Sequence, residues 1–261
     1  MQTSTPADPP RVALVTGAAV RLGAAIALAL GERGYRIVLH CHSSRAEAER
    51  LAERLAERGA GARVAPADLT RPANRERLMR EAIEEAGGLD LLVNSAGLLV
   101  ADDGDALDLA RMKVLNYDTP ESLMRAAEPA LAERGGSVVN IADVAAMRAF
   151  ARCRAYSRTK AALLELTFRR ALDLAPRGVR VNAVCPGAVL FAPSFDEAAR
   201  RRILAGVPLS REGAPADVAG AVCYLAQAPY VTGQALAVDG CQLLTLLDKN
   251  EDDRPPDSRL N

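Results

Sequence analysis

Tryptophan is absent from this chain of 261 residues, aromatic residues make up only 3% of it, and histidine occurs twice. So few rings leave little material for an aromatic-walled pocket. The two histidines, His40 and His42, have no cluster of further ligands around them in sequence, so no metal site is expected. An excess of charge of either sign is also missing, since 33 lysines and arginines balance 33 aspartates and glutamates. That balance argues against nucleic acid or an anionic membrane surface as partner. No apolar run approaches the ~18 residues of a membrane span. Residues 1–10 have neither a basic start nor a long apolar stretch, so no secretory signal is expected there. The five cysteines, Cys41, Cys153, Cys185, Cys223 and Cys241, are odd in number and scattered. They show no paired spacing for zinc or redox chemistry, and a reduced, cytoplasmic setting is the simplest reading.

What is present is a repeated alternation of strand and helix. Nearly half of the residues are hydrophobic (49%), enough for a sizeable core, and the length fits one large α/β domain. Short runs rich in valine and leucine predict strands over 11–16, 36–41, 63–67, 89–94, 137–142, 179–184 and 234–239. Helical spacing predicts helices over 24–34, 45–58, 75–85, 106–131 (interrupted near 118–120), 156–174, 195–205 and 215–226. Seven strands alternating with helices imply a single Rossmann-type, doubly wound parallel sheet covered on both faces. That domain is expected over 11–247, with flexible segments at 1–10 and 248–261.

The first strand runs into Thr16-Gly17-Ala18-Ala19-Val20-Arg21-Leu22-Gly23. A glycine turn between a strand and a helix lets backbone amides approach a pyrophosphate at a helix N-terminus. The spacing is not that of G-x-G-x-x-G, and alone it also describes an ordinary turn. Arg21 can offer a fork of donors to a phosphate. The second strand ends at His40, Cys41, His42, Ser43, Ser44 and Arg45, with no acid to receive ribose hydroxyls, which favours NADP. One or both histidines could equally just pack on that strand. Asp68, next to Leu69 after the third strand, either meets an adenine amino group or caps the following helix. Asn94 and Ala96, after the fourth strand, let the chain pass close to a cofactor, as do Pro186 and Gly187 after the sixth, although each is also plain turn chemistry.

Asp143 lies just past the fifth strand, at the edge where open α/β sheets bind ligands. Tyr156 and Lys160, four positions apart, share one face of the next helix. A neighbouring ammonium favours the phenolate, so Lys160 is expected to lower the pKa of Tyr156 and to hold a nicotinamide ribose. Tyr156 is the expected proton donor, and Asn116 is expected to anchor a water leading from Lys160 to solvent.

Taken together these residues resemble the short-chain dehydrogenase/reductase family over roughly 11–244. The resemblance includes Pro208-Leu209-Ser210-Arg211, Val231-Thr232-Gly233 and Val238-Asp239-Gly240. Within that family the chain is most similar to the pteridine reductases. It shares with them Arg21 at the middle glycine of TGxxxGxG, the HCHSSRAEA stretch, and Asp143 where the general family carries serine. The resemblance implies NADPH-dependent reduction of a pterin- or folate-like ring, with Asp143 and Tyr156 aiding protonation and Arg21 facing both cofactor and substrate. It also implies a homotetramer, for which the apolar helix over 161–174 offers a shared face. Leu99 stands where that subgroup has a stacking aromatic, and Ser43 stands where arginine is typical. Two other readings stay open: a carbonyl or 3-ketoacyl reductase, and a non-catalytic NADP(H)-binding sensor or scaffold.

Overall fold

The computed structural model describes residues 10–150, 153–191 and 196–245. The expected flexible segments therefore lie outside the described residues, apart from Pro10. Seven strands, β1 Val12–Val15, β2 Arg36–Cys41, β3 Ala62–Pro66, β4 Leu91–Asn94, β5 Ser137–Ile141, β6 Arg180–Pro186 and β7 Ala235–Val238, pair in the order β3-β2-β1-β4-β5-β6-β7. Every pairing is parallel. The helices are α1 Arg21–Gly31, α2 Arg45–Glu57, α3 Pro72–Ala86, α4 Ala106–Lys113, α5 Thr119–Arg134, α6 Arg154–Leu174, α7 Glu197–Leu204 and α8 Pro215–Gln227.

Strand alternation divides the core into two layers. Val12 and Leu14 of β1 join the apolar cluster that takes in Leu78 of α3, Leu123 of α5 and Leu163 of α6. Ala13 and Val15, the residues between them, join the opposite cluster with Ile26 of α1, Leu51 of α2 and Val222 of α8. All four β1 residues are buried, and parallel strands buried on both faces read as continuous apolar runs. Each fully buried leucine in these layers contributes about 1.5–3 kcal/mol.

Chain order reverses between β1 and β4. Neighbouring connections leave the sheet in opposite directions there and open a crevice beyond the strand ends. β4 and β5 put Asn94 opposite Asn140 at that same end.

Several boundaries differ from the sequence expectation. α1 begins at Arg21 rather than 24, and α3 begins at Pro72, whose missing N–H suits a first helical turn. The expected break near 118–120 is a wide π-turn, Val114–Asp118, within one nearly continuous helix. Pro120 cannot donate to the carbonyl of Asn116 four residues earlier, so the regular ladder shifts at this point. α7 starts at Glu197; the expected start, Phe195, lies outside the described residues. Among the described residues no helix is long and apolar enough to cross a membrane.

Candidate active site

The crevice at the switch point is a cleft of about 340 Å³ bounded by Gly17, Leu22 and Gly23 on one side and Ala96 and Gly97 on the other. Its floor is drawn tight by Thr16. The Thr16 hydroxyl donates to the carbonyl of Val93 at 3.3 Å and accepts from the N–H groups of Ser95 (2.9 Å) and Ala96 (3.0 Å). Gly17 adopts φ 65°, and a Cβ there would stand 3.0 Å from Cα of Ala96. A Cβ on Gly23 would lie 2.1 Å from the carbonyl oxygen of Gly17. Only glycine allows these approaches, which leave backbone bordering the cleft at the start of α1. The residues present thus fit an anionic dinucleotide.

His40 has a different task from the one the sequence suggested. Its Nδ1 accepts from the N–H of Gly17 and its Nε2 donates to the carbonyl of Ala67, both at 3.0 Å. Both ring nitrogens are therefore consumed, and neither is free for a phosphate. Burial lowers its pKa to about 4, which keeps the ring neutral and the Nδ1 lone pair available. His40 is an internal brace between the glycine turn and the end of β3. His42 is exposed and lines the cleft, while Ser43 and Ser44 follow at the entrance to α2 without lining it. Arg45 pairs with Glu49 at 2.8 Å.

Arg21 borders the cleft with φ 54°, and its guanidinium donates to the carbonyl of Leu190. Asp68 also lines the cleft, beside buried Leu69. Its carboxylate accepts from the hydroxyl (2.6 Å) and N–H (3.0 Å) of Thr70, and these bonds hold its pKa below the usual range. The cap position of α3 belongs to Arg71, so the helix-cap reading of Asp68 is corrected.

Asp143, Tyr156 and Lys160 come together where β5 ends. Asp143 turns the chain into a 3₁₀ turn, Val144–Ala146, by accepting from the N–H of Ala145 at 2.8 Å. Its other carboxylate oxygen accepts the Tyr156 hydroxyl at 2.7 Å. Lys160, buried one turn along α6, donates to the carbonyl of Ile141 at 2.9 Å, and its Nζ lies 5.7 Å from the centroid of the Tyr156 ring. A Cβ on Gly97 would sit 3.6 Å from that Nζ, so the dinucleotide cleft reaches the lysine.

The electrostatics correct one expectation. The pKa of Tyr156 is raised well above that of a free tyrosine, first by burial and then by the Asp143 carboxylate. Burial and a hydrogen-bonded carboxylate outweigh the more distant ammonium. Burial likewise raises Asp143, against the bonds from Ala145 and Tyr156 and the charge of Lys160. Burial lowers Lys160, with Asp143 acting in opposition. Cys185, at the end of β6, is pushed up to about 12 by burial and remains a thiol.

Other expected residues have other occupations. The Asn116 side chain accepts from the N–H of Leu98 and donates to its carbonyl, both at 2.8 Å, and donates to the Thr159 hydroxyl at 3.0 Å. Both of its amide protons are committed, and the side chain clamps the loop at Leu98. Asn94 donates to Asn140 at 2.8 Å, and Asn140 donates to Thr167 at 2.9 Å. Its side chain thus ties strands beneath the site. Leu99 is 52% exposed, whereas Leu98 and Val100 pack against Tyr156, Met112 and Ala145. The apolar wall beside the tyrosine is therefore made by the residues flanking Leu99. Pro186 ends β6, and Gly187 lies so close to Asp239 that a Cβ would stand 2.6 Å from the Asp239 Cβ. Arg111 and Leu115 also line the cleft. Sequence reasoning missed them because nothing in the helical pattern distinguishes them from surface positions. Among the described residues no group of three or more His, Cys, Asp or Glu side chains is disposed to hold a metal ion.

A doubly wound parallel sheet, a glycine turn at its switch point and a Tyr–Lys pair beside the cleft define a dinucleotide-binding oxidoreductase. Residues 17–241 match the family profile described as enoyl-(acyl carrier protein) reductase. A 3-oxoacyl-[acyl-carrier-protein] reductase of Staphylococcus aureus is 32% identical, over 87% of this chain and 96% of its own. The 2-(S)-hydroxypropyl-CoM dehydrogenase 3 of Xanthobacter autotrophicus is 36% identical, over 88% and 95%. A solved structure of a blue fluorescent protein from a metagenomic library, in complex with NADPH, superposes with a TM-score of 0.83 at 34% identity, covering 88% of this chain and 96% of that one. The chain belongs to the short-chain dehydrogenase/reductase family. These relatives lend no support to the expected closeness to pteridine reductases.

Proposed function

We propose that the protein is an NADPH-dependent reductase of carbonyl compounds, with 3-oxoacyl thioesters as the leading substrate class. The observation that carries this reading is the aliphatic wall of Leu98 and Val100 packed beside Tyr156, whose hydroxyl lies 2.7 Å from Asp143 next to buried Lys160. The names of the relatives support it, since one is a 3-oxoacyl reductase and another a dehydrogenase of a hydroxypropyl group.

The cleft residues Gly17, Arg21, Leu22, Gly23, Asp68, Leu69 and Ala96 would hold the dinucleotide. NADPH is favoured over NADH because the exposed turn after β2, His42 to Arg45, carries no acid to repel a 2′-phosphate. When bound, the cofactor supplies a hydride to an electrophilic carbon. The phenol of Tyr156 gives the accompanying proton to the oxygen of that carbonyl. Its raised pKa keeps it protonated before the hydride arrives. Asp143, itself pushed towards the protonated form, gives its proton to the phenolate that Tyr156 leaves behind and is reprotonated from solvent. Lys160 fixes the end of β5 and balances the charge of the pair.

A second reading, reduction of a pterin-like ring, is favoured by the Asp143–Tyr156 bond itself, because a ring nitrogen accepts a proton from a carboxylic acid readily. Both readings are separated by following NADPH consumption with 3-oxoacyl thioesters, simple ketones and dihydropterins. Turnover of thioesters or ketones is expected, and turnover of dihydropterins alone overturns the carbonyl reading. The reading includes self-association, supported by the exposed Phe168 and Leu172 on α6 and checked by light scattering.

A further inference from the structure

Residues 98–105 are tied down at both ends, to Asn116 at one and to the start of α4 at the other. Asn116 grips the backbone of Leu98 through two bonds of 2.8 Å, and Asp105 caps α4 by accepting from the N–H of Leu107 at 2.7 Å. Between these ties, Leu98 and Val100 pack on the cluster that contains Tyr156. Gly104 lets the loop fold back on itself, because a Cβ there would come within 2.3 Å of Val100 Cγ1. A third tie leaves the loop altogether. Asp102 Oδ1 accepts from the N–H of Ala155 at 2.9 Å, and Oδ2 lies 3.4 Å from Nε of Arg154.

Helix α6 does not cap itself. Cys153, at its N-cap position, makes no side-chain cap bond, so the first N–H groups of the 21-residue helix need outside partners. We propose that Asp102 is a positioning residue: by capping α6 from the loop it fixes the substrate-side wall of the pocket relative to Tyr156. Ala155, which receives the carboxylate, directly precedes Tyr156, so any slack at the cap moves the loop wall against the phenol. A carboxylate is well suited to the positive end of a long helix. The competing explanation is a solvated ion pair with Arg154, which would contribute little. The proposal takes its substrate from the carbonyl-reductase reading and its geometry from the three ties alone.

Steady-state kinetics with NADPH and a 3-oxoacyl thioester, together with amide hydrogen exchange, test it in Asp102→Ala, Asp102→Asn and Arg154→Ala. Loss of a helix cap is expected to raise KM for the thioester about tenfold in Asp102→Ala, with KM for NADPH changed by less than about twofold. Exchange over 98–105 and 154–157 quickens in the same variant. Asp102→Asn keeps an acceptor oxygen and restores most of both properties, while Arg154→Ala, which removes only the ion pair, behaves as the wild type. Wild-type KM and exchange in Asp102→Ala overturn the proposal, as does equal impairment of Asp102→Ala and Arg154→Ala. If the wild type reduces no carbonyl compound, the functional reading fails and exchange alone decides. Faster exchange in Asp102→Ala rescued in Asp102→Asn then supports the cap, and unchanged exchange overturns it.

Discussion

Burial and a carboxylate neighbour act on Tyr156 in the same direction and hold its phenol in the protonated form. Tyr156→Phe is expected to lower kcat by at least about 10²-fold while NADPH affinity, read by fluorescence quenching, stays nearly constant. The raised pKa of Asp143 also carries a stability consequence. Its folded pKa lies above the unfolded value, so the folded state binds the proton more tightly, and stability declines as pH rises through the folded pKa. Asp143→Ser, which removes that penalty, is expected to raise Tm at pH 7–8, read by calorimetry. His40 works with the opposite sign. Its folded pKa is depressed from 6.5 to about 4, so its stabilising contribution is complete above pH 6.5 and is lost as pH falls through 4. That loss amounts to roughly 3 kcal/mol, and the Tm of the wild type should fall over this window more steeply than that of His40→Gln. The Tyr156–Lys160 pairing could be read from helical spacing, and so could the position of Asp143 past a strand. The role of His40 could not, because its partners Gly17 and Ala67 are brought to it only by the sheet.

Strand and helix identity followed from apolar periodicity, and the parallel sheet covered on both faces followed from alternation, since both depend on local pattern and on burial of parallel strands on two faces. Helix starts were less accessible. α1 opens at Arg21 in a left-handed conformation, which no side-chain cap announces. The π-turn at Val114–Asp118 was visible only as an interruption near Pro120, and the clamp it gives Leu98 through Asn116 depends on a loop whose path no periodicity describes. The glycine turn can be tested as a unit. Gly23→Ala drives a Cβ to within 2.1 Å of the Gly17 carbonyl, which a backbone can relieve only by opening the turn. It is expected to abolish NADPH binding in a titration while the far-UV circular dichroism stays close to wild type.

The described chain joins a cleft at the β1–β4 switch point to the hydrogen-bonded Asp143–Tyr156 pair beyond the end of β5, and each depends on the sheet that separates two apolar layers. Binding at that cleft stabilises the folded chain by about 2.7 kcal/mol when ligand is present at a hundred times Kd. NADPH is therefore expected to raise Tm more than NADH at equal concentration, since the turn after β2 carries donors and no acid. The substrate class was the least accessible property in the sequence, because Arg21, the HCHSSRAEA stretch and Asp143 together suggested a nitrogen ring, whereas the wall beside Tyr156 is aliphatic and the relatives include a 3-oxoacyl reductase and a hydroxypropyl dehydrogenase. The most direct test is the pH dependence of kcat/KM for NADPH-driven reduction of a 3-oxoacyl thioester, in the wild type and in Asp143→Ser. With Asp143 as a neutral donor, wild-type kcat/KM falls as pH rises through its elevated pKa, and Asp143→Ser loses that dependence while retaining thioester reduction. Identical pH profiles in the two proteins, or thioester reduction undetectable in the wild type, would contradict it.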